Sequence, residues 1–126
     1  MTYKKLPVVY SCSGCSNLAQ MANQLAVNLN REKLAEMSCI AGVGGNVPAL
    51  VKTAKSGRAI LAIDGCHLAC ASNCLKQHGV KASKHLVLSE LGYKKRYHQD
   101  VSDKDIAEGM LLVKNLCQEI IEQGCN

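Results

Sequence analysis

Cysteine is the residue type with the clearest chemical potential in this chain of 126 residues, which contains 8 of them. Six fall in three short stretches of the sequence: Cys12 and Cys15; Cys39; and Cys66, Cys70 and Cys74. Thiolates bind soft metal ions and iron–sulfur clusters, and they are also the nucleophiles of thiol redox and sulfur-transfer reactions. The sequence therefore predicts thiol chemistry, provided that the fold brings these stretches together.

The spacing within two stretches favours metal binding. Two residues between cysteines, as in CSGC, allow one tight turn to direct both sulfurs at a single ion, and Gly14 gives that turn its freedom. If a helix begins near Gly65, Cys66 lies at its amino end, where the helix dipole favours a thiolate, and Cys70 lies one turn further on the same face. The predicted metal ligands are Cys12, Cys15, Cys66 and Cys70, with Cys39 as a fifth sulfur that could replace one of them.

The remaining cysteines are less suited to this site. On such a helix Cys74 would lie about 12 Å along the axis from Cys66, too far to share one ion. We interpret Cys74 as a core residue, or alternatively as a reserve thiol that exchanges with Cys70. Cys117 falls on the apolar stripe of a C-terminal helix and is predicted to be core, whereas Cys125 is expected to lie in a frayed tail.

Neighbouring polar residues allow two interpretations. Asp64 lies two residues before Cys66, and it could orient a ligand or the metal-site backbone, or equally cap the following helix. His67 adjoins Cys66, but a side chain one residue further on points elsewhere, so we do not expect it to ligate. The other histidines show no ligand spacing and are expected to be exposed or internally satisfied: His78, His85 and His98.

Apolar periodicity predicts the elements that position these groups. Four short apolar runs are typical of buried strands: Leu6–Tyr10, Leu34–Ile40, Ala59–Ile63 and His85–Leu91. Between and after them, apolar residues recur at helical spacing from Ser16 and from Ser102, which are the predicted N-caps of two amphipathic helices. The expected fold is a single α/β domain over residues 1–126, with three layers and a mostly parallel sheet of about four strands. The cysteines that follow its strands would then share the carboxyl edge of the sheet.

Two further segments are candidates for contact with an anion. The stretch from Cys39 to Pro48 is rich in glycine and could present backbone N–H groups to a small anion, with Asn46 capping the next helix, although a tight turn near the cysteines is the favoured interpretation. The basic run Lys94, Lys95 and Arg96 could face an anionic site, but a solvated loop is the default expectation for such a run.

Composition narrows the classes of function. The net charge of +5 is modest, and 4 Tyr with no Phe or Trp offer little surface for stacking on bases, so we do not expect a nucleic-acid partner. We find no apolar run long enough to cross a membrane and no secretory leader, which predicts a cytoplasmic protein without a membrane partner. In that reducing compartment, grouped cysteines bind metal or perform redox chemistry more often than they form structural disulfides.

Several motifs in order resemble the DGC-domain family, from about Val8 to His98. They read CSGCSNLAQMANQLA, MSCIAGVGGNVPALVKTAKSGRAILAIDGC, CLKQHGV and LSELGYKK, and the family takes its name from the tripeptide found here as Asp64, Gly65 and Cys66. Members of the family are described as zinc-binding on account of their cysteines. The resemblance thus implies metal-ligand roles for Cys12, Cys15, Cys66 and Cys70.

The leading hypothesis is a zinc-binding protein with a structural, sensing or delivery role. Four thiolates on zinc leave a net charge of about −2 and no open position, which suits holding a metal rather than catalysis. One alternative is a redox or sulfur-transfer enzyme in which Cys66 attacks and Cys70 or Cys12 resolves the intermediate. A second alternative is an iron–sulfur electron carrier, and the last is a domain whose cysteines only pack.

Overall fold

The computed structural model describes residues 6–123 of the chain. Cys125 therefore lies outside the described residues. Within them, strands and helices alternate as β1 (Val8–Ser11), α1 (Asn17–Arg31), β2 (Glu36–Met37), α2 (Ile40–Gly44), α3 (Pro48–Ala54), β3 (Ile60–Asp64), α4 (Cys70–Lys76), β4 (Lys84–Val87), a 3₁₀ helix (Leu88–Leu91) and α5 (Asp103–Gln123). None of the helices in this range is long and apolar enough to cross a lipid bilayer.

The four strands form one parallel sheet in the order β2-β1-β3-β4. The register places Val8 opposite Ile60 and Ser11 opposite Ile63, so the central strands β1 and β3 end side by side. Every residue of β1 and β3 is buried, as expected for central strands covered on both faces. The predicted α/β fold with a parallel sheet is confirmed.

Alternate residues of the central strands point into two separate cores, because successive side chains of a strand face opposite sides of the sheet. Val9, Leu61 and Ile63 pack with α1 and α5. The residues between them pack with the second layer of helices, α2, α3 and α4, and these are Val8, Tyr10, Ile60 and Ala62. The molecule is therefore a three-layer α/β/α domain, also as predicted.

Both predicted helix caps are confirmed. The hydroxyl of Ser16 accepts a hydrogen bond from the N–H of Ala19 (3.1 Å) at the start of α1. The hydroxyl of Ser102 accepts one from the N–H of Asp105 (3.1 Å) at the start of α5. Such caps contribute about 1 kcal/mol each. Cys117 on α5 is 2% exposed, so its assignment to the core is confirmed as well.

The region around β2 differs from the sequence prediction. The strand is limited to Glu36–Met37, because the chain before it is still bonded to the end of α1 and Cys39 already serves as the N-cap of α2. The glycine-rich stretch is thus largely a short helix rather than an open turn. Asn46 adopts a left-handed conformation (φ 63°) and does not cap α3, whose N-cap is Val47 with a proline at the start of the helix.

The fourth predicted strand is also shorter than expected. Lys84–Val87 is a strand, but the chain then turns into the 3₁₀ helix at Leu88–Leu91. The N–H of Ser89 donates to the carbonyl of Gly65 (3.0 Å), which ties this turn to the segment that follows β3. The end of β4 is therefore attached to the segment that carries the DGC tripeptide.

Candidate thiol site at the carboxyl edge of the sheet

Cys12 and Cys66 lie just beyond the ends of the two central strands. The N–H of Cys12 donates to the carbonyl of Ile63 (3.1 Å), which extends the β1–β3 ladder by one residue. The N–H of Gly65 then donates to the sulfur of Cys12 (3.2 Å). These two bonds fix Cys12 against the segment that carries Cys66. We call the group formed by Cys12, Asp64, Cys66, Cys70 and Lys95 the thiol edge.

Cys12 is the buried member of this group, with 9% of its surface exposed. The pKa of its thiol is raised to about 11: burial is the main cause, the N–H of Gly65 lowers the pKa, and electrostatic interactions with Asp64, Cys70 and Cys66 raise it. Cys66 and Cys70, from a separate stretch of the sequence, thus lie within electrostatic range of Cys12. A cation bound here would reverse this balance and favour the thiolate.

Asp64 is fully buried and caps α4 from a distance. Its carboxylate accepts hydrogen bonds from the N–H groups of Ala71 (2.8 Å) and Ser72 (3.2 Å), which are in the first turn of that helix. Because the helix N-cap residue itself, Ala69, has no side-chain acceptor, the strand residue takes over this role. The capping interpretation of Asp64 is confirmed.

His85 is a partner of this carboxylate that the sequence prediction missed. Its Nε2 lies 2.7 Å from Oδ2 of Asp64. His85 is on β4 opposite Ala62 of β3, so the contact depends on the register of two parallel strands. No spacing along the sequence indicates it, and only the correct pairing of β3 with β4 could have found it.

Gly65 explains the middle position of the DGC tripeptide. A Cβ atom on this residue would lie 2.8 Å from the backbone carbon of Leu18 and 2.9 Å from the nitrogen of Ala19. Side-chain carbons essentially never come so close to backbone atoms, so the first turn of α1 can pack here only against glycine. This close approach places the start of α1 beside the thiol edge.

Cys66 does not lie at the start of a helix, contrary to the prediction from the sequence. Residues Cys66 to Ala69 form a turn, in which the N–H of Ala69 donates to the carbonyl of Cys66 (3.0 Å), and Ala69 is left-handed (φ 51°). A left-handed residue cannot continue an α-helix, so α4 begins only at Cys70. The helix dipole therefore acts at Cys70, and a different group supplies positive charge to Cys66.

That group is Lys95, whose Nζ lies 3.5 Å from the sulfur of Cys66. The same ammonium lies 5.4 Å from the centre of the Tyr97 ring. Hydrogen bonding to Tyr97, and then to Cys66, raises the pKa of Lys95 above its usual value. The basic run predicted to be a solvated loop or to face an anion thus places one lysine directly against a thiol, while Lys94 and Arg96 are exposed.

Asn17, the first residue of α1, holds this loop in place through three hydrogen bonds. Its side-chain oxygen accepts from the N–H of Arg96 (2.6 Å), its side-chain nitrogen donates to the carbonyl of Lys94 (3.0 Å), and its own N–H donates to the carbonyl of Arg96 (3.0 Å). The two bonded residues flank Lys95. The backbone on both sides of Lys95 is therefore held in place, across almost 80 residues of sequence.

Cys70 and Cys74 lie on consecutive turns of α4. Cys70 is exposed, whereas Cys74 is partly buried and its sulfur lies 2.8 Å from where a Cβ of Gly44 would be. Burial raises the pKa of Cys74, and the charges of Cys70 and Asp64 raise it further. Because α4 begins at Cys70, the expected helical separation of about 12 Å between Cys66 and Cys74 no longer applies. Cys74 packs against α2 next to the thiol edge.

The other two predicted ligands are exposed. Cys15 lies in the turn before α1, one residue before the Ser16 cap. Cys39 lies at the carboxyl end of β2, and β1 separates that strand from β3, which carries the DGC tripeptide. The structure thus places all five predicted ligands on the same edge of the sheet, with Cys12, Cys66 and Cys70 at its centre.

The donor set suits a thiophilic metal ion, because it consists of thiols with backbone N–H groups and a lysine nearby. Between residues 6 and 123, however, no three side chains of the His, Cys, Asp or Glu types form a group already arranged around one ion. Binding a metal at the thiol edge would require the exposed thiols of Cys15 and Cys70 to turn toward Cys12.

A separate cavity of about 810 Å³ lies at the opposite edge of the sheet. Pro7, Arg58 and Ile60 line it, at the point where the strands begin, and none of its lining residues is a cysteine. Its volume is typical of a small-molecule site, but the thiol chemistry is located elsewhere.

Comparison with known proteins supports the family resemblance found in the sequence motifs. A family model described as the DGC domain matches residues 8–113. The protein named anaerobic and virulence modulator AnvM, from Pseudomonas aeruginosa, is 62% identical over 100 residues, which cover 79% of this chain and 76% of that protein. No solved structure matches the chain.

Proposed function

The chain belongs to the DGC-domain family, and from this premise we propose that it binds a thiophilic metal ion, zinc above all, at the thiol edge. The ligands in this proposal are Cys12, Cys15, Cys66 and Cys70, and Cys39 can replace one of the exposed members. The observation that carries the proposal is the environment of Cys12, a buried thiol bonded to the Gly65 N–H and influenced by the charges of two other cysteines.

A metal ion would resolve the main electrostatic conflict of this environment. The carboxylate of Asp64 and the thiolates that metal binding requires would repel one another at one edge, and a divalent cation between them would turn that repulsion into attraction. Because Cys12 holds its proton up to high pH in the metal-free chain, binding must release protons. When bound, zinc would supply charge neutralisation and a fixed geometry for its thiolates.

The proposed role is sensing rather than catalysis. Four thiolates leave zinc without an open position, and oxidation of any one of them would release the ion. A relative named as an anaerobic and virulence modulator supports a regulatory role over a purely structural or delivery role. We place this activity in the cytoplasm, where thiols stay reduced until conditions change.

Elemental analysis of untagged protein, purified without oxygen, tests the proposal. We expect about one zinc per chain, lost in Cys12→Ser and Cys66→Ser and retained in Cys117→Ser, whose serine lies in the α5 core. If the analysis finds iron together with acid-labile sulfide, the same ligands hold an iron–sulfur cluster instead of zinc. Absence of metal from the wild-type protein and from protein incubated with zinc would overturn the proposal.

A second candidate function, a thiol redox or sulfur-transfer reaction at Cys66, is supported by the contact between its sulfur and Lys95. A cation at this distance stabilises a nucleophilic thiolate. Cys66 would form a mixed disulfide, and Cys70 or Cys12 would resolve it. Peptide mass spectrometry after brief exposure to a small disulfide tests this, with a first adduct on Cys66 expected. Equal labelling of the exposed Cys15 and Cys39 would argue against it.

A further inference from the structure

The loop that carries the cation at Cys66 is anchored to the fold through its backbone. Asn17 bonds to the backbone of both neighbours of Lys95, and the ammonium lies 5.4 Å from the centre of the Tyr97 ring. A solvated surface lysine needs no such support. The arrangement is what a site requires when a positive charge must remain at a fixed place beside a reacting sulfur.

Other charges around this lysine do not neutralise it completely. Lys94 and Arg96 flank it in the loop, and these two residues line a cleft together with Asp105 and Glu108 of α5, a cleft whose lining does not include Lys95. Asp64, the buried acid of the thiol edge, is already engaged with α4 and His85. The ammonium of Lys95 is therefore available to an anion that approaches the sulfur of Cys66.

We propose that Lys95, held by Asn17, is a specificity-determining residue that makes Cys66 selective for anionic sulfur compounds, such as disulfides with a carboxylate or sulfonate close to the sulfur. This inference rests on the second candidate function, thiol exchange at Cys66. Asn17 is a positioning residue in this account, because it acts only through the loop that carries the lysine.

The reaction is a thiol–disulfide exchange and balances without an external oxidant. The Cys66 thiolate attacks one sulfur of the anionic disulfide and forms a new S–S bond to it. The original S–S bond breaks, and its electron pair leaves on the second sulfur as a thiolate. Negative charge accumulates next to the sulfur of Cys66 as the reagent approaches, and the ammonium of Lys95 stabilises it there.

Two reagents of different charge test the selectivity. Full-length reduced protein, freed of metal by chelation, is treated at fixed pH with anionic 5,5′-dithiobis(2-nitrobenzoate) or with neutral 2,2′-dithiodipyridine, and the rate of adduct formation at Cys66 is measured by peptide mass spectrometry. A change in the thiolate fraction of Cys66 alters both rates alike. The ratio of the two rates therefore reports charge recognition alone.

We expect Lys95→Met to lower the ratio of anionic to neutral rate about fivefold at low salt, since one charge near 4 Å contributes about 1 kcal/mol in water. Lys95→Arg should preserve the ratio, Asn17→Ala should lower it partly, and high salt should reduce it in the wild type. Lys52→Met, an exposed lysine on α3, is the matched control and should leave it unchanged.

Two negative results are distinguishable. If Cys66 reacts and Lys95→Met leaves the ratio at the wild-type value, the selectivity inference is wrong while thiol exchange stands. If Cys66 forms no adduct with either reagent, thiol exchange at this residue is itself refuted, and the selectivity falls with it.

Discussion

Cys12 and Cys117 resemble each other in burial and differ in everything else around them. They are 9% and 2% exposed, and the pKa of each thiol is raised to about 11. For Cys117, burial among the apolar residues of α1 and α5 is the cause of the raised pKa. For Cys12, a backbone N–H donor and three ionisable neighbours act on the same sulfur.

Burial of a thiol therefore does not identify a site, whereas its polar partners do. A core cysteine behaves as a small apolar residue and needs no donor or counter-charge. Cys12 has a donor in the N–H of Gly65, and the ammonium of Lys95 supplies a counter-charge to its neighbour Cys66. We therefore expect that changing the polar partners at the thiol edge affects that region and leaves the core around Cys117 intact.

The largest expected effect comes from removing the carboxylate of Asp64. Asp64→Ala would leave the first N–H groups of α4 and the ring of His85 without their acceptor, in a fully buried position. We expect the free energy of unfolding, measured by urea denaturation, to fall by about 3 kcal/mol. Asp103→Ala, at an exposed position in the first turn of α5, is the control and should cost about 0.5 kcal/mol. Equal losses would contradict the proposed capping of α4 by Asp64.

The next effect concerns the close packing of α1 against the DGC tripeptide. Gly65→Ala places a methyl group less than 3 Å from the backbone of α1, so one of the two segments must move. We expect a loss of about 2–3 kcal/mol in the free energy of unfolding. Gly14→Ala is a matched control, because its methyl group would lie 3.7 Å from Ala19, an ordinary contact. If both alanines are tolerated equally, the contact does not constrain Gly65.

A smaller effect is expected on the free energy of unfolding at alkaline pH, where the contribution of the core residue Cys117 can be isolated. The pKa of Cys117 is raised in the folded state, so its contribution to stability is complete below the unfolded value near 9 and is lost as pH rises through about 11. Between pH 8 and pH 10.5 we expect this to amount to about 1–2 kcal/mol. Urea denaturation at both pH values should show a shallower loss in Cys117→Ala than in the wild type. Identical slopes would mean that Cys117 does not hold its proton in the folded protein.

The parts of the fold that could be predicted from sequence are those set by local patterns. Serine caps, the apolar stripes of α1 and α5 and the parallel sheet follow from spacing over a few residues. The start of α4 could not be predicted, because a left-handed Ala69 and a cap from Asp64 on another strand decide it.

The candidate site shows the same division. The common location of the cysteines at one edge follows from the order of the strands. The polar contacts around them, however, link residues that are distant in the sequence. Lys95 reaches Cys66 only because Asn17 anchors its loop, and His85 reaches Asp64 only through the register of β3 and β4. Neither contact leaves a local signature in the sequence.

Alkylation of each cysteine with and without a metal chelator tests whether the cysteines share a metal at the thiol edge, since it compares all sulfurs within one sample. Protein purified without oxygen is treated with one isotopic form of N-ethylmaleimide before chelation and another after it, and labelled peptides are quantified. We predict that Cys12, Cys15, Cys66 and Cys70 gain reactivity together when the metal is removed, while Cys117 does not change. Unaltered labelling of these four cysteines in metal-loaded protein would contradict a shared site at the thiol edge.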